Sequence, residues 1–219
     1  MKAKILLFLL LAPCLLMAQY DYGFDFAKTG SGGLQFLKIG VGARESAMGE
    51  AVAGDVKDVN AVYWNPAGLA YATRYQASFS HNTWLVNSRQ MAAAVAIPLK
   101  TFTVALSALS FAIDDFEETT VTSPEGTGRM VSAGDLMVGL SAARMFTDKL
   151  SIGGQVKYVR EKLDDYSINN LLFDIGALYY TGFRSLRLAF SLQHFGPDME
   201  LVDQEYRTPL LFRINATDE

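Results

Sequence analysis

The feature that most constrains this chain is an alternation of large apolar residues with small or polar residues along positions 75–216. Successive side chains of a β-strand point to opposite faces, so each alternating run predicts a strand with one apolar face. The clearest run places on one face Leu186, Leu188, Phe190 and Leu192. The opposite face of that run carries Arg187, Ala189, Ser191 and Gln193. Eight such runs predict an all-β fold with strand cores near 75–81, 91–98, 101–113, 136–146, 150–161, 171–181, 186–195 and 210–216.

The third of these strands changes phase partway along its length. Its apolar residues alternate up to Leu106 and then resume one position out of step at Leu109. One extra residue in a strand produces this shift, so the pattern predicts a β-bulge near Ala108.

Two architectures give strands with one apolar and one small or polar face. In a soluble sandwich the apolar face forms the core, whereas in a membrane barrel it meets lipid and the other face lines the lumen. The spacing of the runs predicts tight turns at 99–100, 147–149 and 182–185. Longer links are predicted at 82–90, 114–135, 162–170 and 196–209. Short turns at one end and long loops at the other are typical of an outer-membrane up-and-down barrel, although a sandwich stays open as an alternative.

The first 18 residues resemble a secretory signal peptide. Lys2 and Lys4 precede a continuous apolar run at 5–11, and the stretch is shorter than the roughly 20 residues of a spanning helix. We place cleavage after Ala18. The only cysteine, Cys14, directly follows a proline, which disfavours a lipid anchor, and a single cysteine excludes a disulfide framework.

Composition and motifs argue against several functional classes. The net charge of −4 and the absence of a basic block disfavour a nucleic-acid partner. His81 and His194 are the only histidines, neither has a Cys or Glu at ligand spacing, and we interpret both as interfacial or loop residues. The glycine pair at 40 and 42 fails as a dinucleotide fingerprint because Glu45 occupies the third glycine position. We therefore expect no enzyme activity, no cofactor and no metal.

Residues 19–72 are rich in glycine and alanine and lack strand alternation. A short helix is predicted at 44–53. Asn65 is a good N-cap and Pro66 suits the first helical position, so this element predicts a capped helical turn, with Trp64 as a buried packing anchor.

These residues carry a family resemblance. Gly42-Ala43-Arg44 with Ala47-Met48-Gly49, followed by Ala61-Val62-Tyr63-Trp64-Asn65-Pro66-Ala67-Gly68-Leu69-Ala70, resembles the PorV/PorQ family of outer-membrane proteins. That family is similar to FadL-type channels, in which this region is a plug inside a fourteen-stranded barrel. The resemblance implies an outer-membrane location, contact with lipid, and a part in type IX secretion with secreted cargo and other secretion components as partners. The plug-motif residues that it singles out are Gly42, Arg44, Met48, Gly49, Trp64, Asn65, Pro66 and Gly68.

Two other functions stay open beside cargo handling. One is a FadL-like channel for a hydrophobic small molecule, and the other is a soluble periplasmic β-protein that binds a partner. We divide the chain into a signal peptide (1–18), a plug segment (19–72) and an incomplete set of barrel strands (73–219). Eight strands in 142 residues, against the fourteen implied by the resemblance, predict that roughly 100 residues of barrel are missing. The sheet is accordingly expected to be open, with the first strand near Phe79 unpaired with the last near Phe212.

Overall fold

The computed structural model describes residues 33–164 and 166–197. Seven antiparallel strands form a single sheet in which each strand pairs with the next along the chain. The strands are β1 Gln76–Thr83, β2 Arg89–Pro98, β3 Thr103–Glu117, β4 Met130–Thr147, β5 Leu150–Leu163, β6 Tyr166–Tyr180 and β7 Arg187–Phe195. The predicted all-β, up-and-down arrangement is confirmed, and within the described residues the sheet is not closed into a barrel. The predictions for the signal peptide, for 19–32 and for an eighth strand at 210–216 lie outside the described residues.

Strands β1 to β6 are longer than predicted, and within the described residues the predicted sorting of short and long connections is wrong. β5 and β6 pair as far as Leu163 with Tyr166, so the link expected at 162–170 is only two residues long. The connection at 84–88 is also short, and among the connections that the structure describes at this end only 118–129 is a long loop. Polar residues continue these hairpins because backbone hydrogen bonds across a ladder do not depend on side-chain polarity.

The predicted bulge near Ala108 is also wrong. Ala108 pairs regularly with Ala93 of β2 and Val138 of β4, and the register of β3 shifts only between Ile113 and Phe116. The apolar pattern changes phase because Leu109 points to the packed face of the sheet, where it is buried in a cluster with Phe36. The phase of the apolar pattern therefore changes because the inner segment covers the packed face at Leu109, and not because the strand contains an extra residue.

The two faces of the sheet differ sharply in burial. On the outer face of β7, Leu188 and Phe190 are 56% and 59% exposed, as predicted from the alternation. On the inner face, Ser191 and Gln193 donate hydrogen bonds to backbone carbonyls of the N-terminal region, which confirms their predicted direction. We call these the outer face and the inner face below.

Residues 33–72, called the inner segment here, lie against the inner face. The segment contains two 3₁₀ turns, Gln35–Lys38 and Pro66–Tyr71, and two short α-helices, α1 Ala43–Ala47 and α2 Ala61–Trp64. The helix predicted at 44–53 is therefore shorter, because Gly49 and Glu50 adopt positive φ angles of 62° and 65° that end it. No helix in the described part of the chain is long and apolar enough to span a bilayer.

The inner segment makes contact across nearly the whole width of the sheet. Val62 of α2 belongs to a buried cluster with alanines of β2, β3 and β4. The side chain of Gln193 in β7 donates to the carbonyl of Tyr63, the next residue of the same helix. A helix of four residues that touches both β2 and β7 requires the sheet to curve around it, so the inner face is concave.

Candidate functional site

The Asn-Pro-Ala-Gly element is anchored by the side chain of Asn65. Its Oδ1 accepts a hydrogen bond from the backbone N–H of Ala67 at 3.1 Å, which is the predicted N-cap, with Pro66 at the start of the 3₁₀ turn. Its Nδ2 donates to the carbonyl oxygens of Ala53 (2.9 Å), Ala177 (3.4 Å) and Phe190 (3.3 Å). One buried amide thus ties the inner segment to itself, to β6 and to β7.

Glycines of the sheet and of the inner segment make this close approach possible. A Cβ at Gly153 would lie 2.4 Å from the backbone carbon of Pro66, and one at Gly176 would lie 2.0 Å from Asn65 Oδ1. Within the segment, a Cβ at Gly68 would meet the Val56 carbonyl oxygen at 2.2 Å. At these glycines, the backbone of the Asn-Pro-Ala-Gly element packs directly against the backbone of the sheet and of the inner segment. We call this contact the seat of the element.

The other plug-motif residues lie in a separate turn around α1. Gly42 has φ 96°, and a Cβ there would lie 2.1 Å from Glu45 Oε2, so both its conformation and its space favour glycine. Arg44 pairs with Asp55 at 2.5 Å, and Met48 is exposed. The structure thus brings Asn65, Pro66 and Gly68 together and places Gly42, Arg44, Met48 and Gly49 apart from them.

Trp64 links the two groups but is only partly buried, contrary to the prediction. Its indole N–H donates to the Val41 carbonyl at 3.0 Å, which holds the ring over the α1 turn. The rest of the ring faces a cavity of about 260 Å³ between the inner segment and the sheet. The exposure of Trp64 therefore reflects its position in a cavity wall.

This cavity has an apolar side and a polar end. Val41, Trp64, Leu109 and Met137 contribute apolar walls. Lys157, Gln193 and His194 form the polar end, and Lys38 and Glu50 of the inner segment also line the cavity. Its walls come from the inner segment and from four strands, so it exists only when the segment is seated.

A buried ionic cluster lies at the polar end. Lys157 and Asp174 form an ion pair, and both side chains are 1% exposed. Lys157 Nζ lies 3.3 Å from His194 Nδ1, and the backbone N–H of His194 donates to Asp174 Oδ1 at 2.8 Å. The interpretation of His194 as an interfacial or loop residue is therefore wrong, because its ring is placed on the inner face.

A β-bulge explains this position of His194. The pairing of β6 with β7 shifts between Phe173 and Ile175, where two residues of β7 lie opposite Asp174. His194 adopts a φ of 58° at this point. A bulge redirects side chains in this way, so both Gln193 and His194 reach the inner segment or the cluster.

Further polar side chains bind the inner segment below the cavity. The surroundings of Gln155 place its amide nitrogen 2.7 Å from the Val62 carbonyl oxygen and 3.2 Å from Asp174 Oδ2. The hydroxyl of Tyr63 donates to the carbonyls of Ala93 (2.8 Å) and Ala108 (3.0 Å). Burial raises the pKa of Tyr63 well above its usual range, so the hydroxyl stays a donor.

A second electrostatic contact lies at the turn end of β7. Asp55 accepts hydrogen bonds from Arg187 and from Arg44, each at 2.5 Å, and these bonds lower the pKa of Asp55 from its ordinary value of 3.8. Lys57 lies over the rings of Tyr71 and Tyr180 at 5.5 and 5.0 Å. These contacts fix the central part of the inner segment to the edge of the sheet.

The arrangement is suited to holding a segment and enclosing a small cavity. His81 lies on the outer face and its neighbour Ser80 faces inward, so they do not share a site. Within residues 33–164 and 166–197, no three side chains of His, Cys, Asp or Glu are grouped closely enough to hold a metal ion.

Sequence reasoning missed the ionic cluster, although a signal for it exists. Lys157 and Asp174 both occupy inward positions of strands whose alternation is otherwise clear. Their orientation toward the inner face was therefore predictable, but the ion pair between them was not. Comparison of the chain with protein-family models and with curated protein sequences finds no match.

Proposed function

We propose that this chain is a non-enzymatic outer-membrane β-barrel protein of the PorV/PorQ type that handles secreted cargo in type IX protein secretion. The inner segment acts as a resident plug on the concave face of the barrel wall. Lipid covers the outer face, and cargo is engaged by the hairpins β3–β4 and β5–β6, at the end of the sheet that carries the 118–129 loop. The resemblance carried by 42–49 and 61–70 supplies the family.

The observation that supports the membrane location is the exposure of large apolar side chains on the outer face, which no part of the described chain covers. Leu140, Leu188 and Phe190 are each more than half exposed, and they belong to a face shared by all seven strands. Exposed apolar surface of this extent marks a membrane or partner contact in a folded protein. A sandwich would need a second sheet over this face, whereas all the described strands lie in one sheet.

Spin labels test this location. A label at Leu140→Cys, on the outer face in the middle of β4, is expected to be accessible to oxygen and protected from a water-soluble nickel complex, and one at Ser185→Cys, in the turn before β7, serves as the aqueous control. Leu140→Arg is expected to cost about 2–4 kcal/mol near the bilayer midplane. Equal nickel access at both positions would refute the membrane location.

The length of the strands supports a role for the hairpins. β4 has 18 residues, which at roughly 3.3 Å each extend about 60 Å. An apolar band of about 25 Å crossed at a tilt near 40° uses a little over half of that length. The hairpins β3–β4 and β5–β6 therefore extend beyond the apolar band of the bilayer.

The projecting hairpins are tied to each other. Arg129 pairs with Glu118 of its own hairpin at 3.4 Å and with Asp164 at the tip of the next hairpin. Two hairpins held together offer a fixed surface to a protein partner. The inner cavity of about 260 Å³, by contrast, lies below the roughly 300–1,000 Å³ of most ligand pockets.

Site-specific crosslinking tests cargo handling. A photoreactive residue at Val121, in the loop between β3 and β4, is expected to capture secreted cargo in intact cells, and a peptide of the cargo C-terminal signal is expected to suppress the product. The same residue at Phe183, in a turn at the other end, is the matched control. Cargo captured equally at both positions, or capture that the peptide does not suppress, would contradict the proposal.

A second candidate function, a channel for hydrophobic small molecules, is favoured by the apolar walls of the cavity. Met137→Trp would fill the cavity, whereas Leu140→Trp on the outer face of the same strand would not. A channel predicts that only Met137→Trp lowers uptake of a hydrophobic probe. Cargo handling predicts unchanged secretion and no uptake that depends on either variant.

A further inference from the structure

An unpaired cation lies on the apolar outer face. Arg144 of β4 points outward between Ala142 and Phe146, and makes no hydrogen bond or ion pair with any residue that the structure describes. It lies three residues before Thr147, at the end of the strand, so it is about 10 Å from the turn. On a lipid-covered face, a guanidinium is costly at the midplane but tolerated near the interface, where anionic headgroups attract it.

The surroundings of Arg144 place it at the level of lipid headgroups. Phe102, Phe146 and Tyr179 are exposed aromatic side chains on the outer face at the same end of the sheet. Aromatic side chains form girdles at the two interfaces of a membrane barrel. Arg144 therefore lies where the apolar band meets the headgroups, within reach of phosphate oxygens.

A groove runs along the outer face beside Arg144. Ala142 of β4 pairs with Gly154 of β5, and these two small residues form a depression among larger neighbours. The groove has a volume of about 540 Å³ and is bordered by Phe102, Phe146, Ile152 and Ile175. Its walls are apolar, and Arg144 is the charged residue among those that line it.

Packing does not require the glycine in this groove. A Cβ at Gly154 would have its nearest contact at 3.6 Å, with the Asp174 carbonyl oxygen, which is an ordinary van der Waals distance. The φ angle of Gly154 is not positive, so its backbone conformation does not require glycine either. This differs from the neighbouring Gly153, on which Pro66 packs directly. Gly154 therefore leaves open space on the outer face beside Ala142.

We propose that this groove binds one anionic phospholipid from the leaflet at the turn end of the barrel. The phosphate contacts the Arg144 guanidinium, and an acyl chain lies over Ala142 and Gly154 between the aromatic and aliphatic walls. Arginine recognises a phosphate through two parallel hydrogen bonds, which makes it suited to a headgroup. The inference rests on the proposed membrane location.

Native mass spectrometry of the detergent-purified protein tests the site, with phosphatidylglycerol and phosphatidylcholine as probes. The wild-type protein is expected to retain one phosphatidylglycerol in preference to phosphatidylcholine. Arg144→Gln is expected to weaken that retention roughly fivefold to tenfold, consistent with the loss of one cation near a headgroup. Gly154→Leu, which fills the groove and keeps the cation, is expected to weaken retention of both lipids.

Arg184→Gln is the matched control, since it removes the same charge in a turn at the same end, outside the groove. Equal loss in both arginine variants would overturn the site, as would equal retention of the two lipids. Displacement of phosphatidylglycerol by inorganic phosphate at similar concentration would show an anion site without a lipid groove. Flotation of each variant with liposomes separates the two levels: loss of flotation in the wild type refutes the membrane location, whereas normal flotation without selective retention refutes only the lipid site.

Discussion

A methyl group added at Gly153 is the most direct test of how the inner segment is seated. The Cβ of Gly153→Ala would lie 2.4–2.6 Å from three backbone atoms of Pro66 and Ala67. Relieving these contacts requires a shift of about 1 Å in a backbone that Asn65 holds through the Ala67 N–H. Overpacking of this kind typically costs about 1–3 kcal/mol.

Gly154→Ala, one residue along, is the matched control. It adds the same methyl group to the outer face, where the nearest contact is 3.6 Å. An alanine in a strand interior gains about 0.5–1 kcal/mol over glycine, so this variant is expected to be neutral or slightly more stable. The free energies of unfolding of the two variants should therefore differ by about 1–4 kcal/mol.

Urea unfolding in detergent micelles, followed by tryptophan fluorescence, measures this difference. Limited proteolysis within the inner segment provides a second readout, because a displaced segment should be cut faster in Gly153→Ala. Equal stability and equal proteolysis of the two variants would refute the direct packing of Pro66 on β5.

Three other perturbations test the contacts of the inner segment and the ionic cluster. Asn65→Ala is expected to lower the free energy of unfolding by about 1–3 kcal/mol in urea titrations, because it leaves buried backbone groups without a partner; an unchanged midpoint would contradict the anchoring role. The lowered pKa of Asp55 means that its pairing with Arg187 stabilises the fold above pH 3.8 and is lost as the pH falls through the folded-state value. The stability difference between the wild type and Asp55→Asn should therefore shrink in acid unfolding curves below that pH, and a difference that grows there would show the opposite sign. Lys157→Met leaves Asp174 as an unpaired buried charge and is expected to cost about 3–5 kcal/mol, and adding Asp174→Leu should restore most of that loss; a failure of the double variant to recover would show that the pair does more than neutralise itself.

The strand positions were predictable because alternation reports directly on which residues face each way. In β7, Leu188 and Phe190 are exposed and Ser191 and Gln193 face inward, as the sequence placed them, whereas the bulge turns His194 inward against the alternation. Hairpin lengths were less predictable, since β5 and β6 extend through polar residues up to Leu163 and Tyr166. Pairing near the tip of this hairpin depends on backbone hydrogen bonds and on contacts with the neighbouring hairpin. Neither produces a recognisable pattern of apolar and polar residues in the sequence.

The site was predictable only where local chemistry decides it. The Asn65 cap with Pro66 could be read from the sequence, because both residues act within one turn. The seat on Gly153 and Gly176 joins residues about 90 to 110 positions apart, and the ion pair of Lys157 with Asp174 depends on the register of β5 with β6. A single sequence contains no measure of such register, so neither contact could be derived from it.

Side-chain size adds an argument for the proposed barrel over a sandwich, which hydropathy leaves open. In β2, the inward Ala92, Ala94 and Ala96 are buried, whereas the outward Val95 and Ile97 are exposed, so both faces of this strand are apolar and only their volumes differ. A sandwich core needs large interdigitating side chains on its packed face, which would put valine and isoleucine inside. Alanines on the packed face instead let a polypeptide approach the sheet closely, as Gly153 does for Pro66. Fluid hydrocarbon chains can accommodate large side chains without a complementary protein surface. Small residues inside and large residues outside therefore favour the proposed barrel wall, with a polypeptide on its inner face and lipid on its outer face.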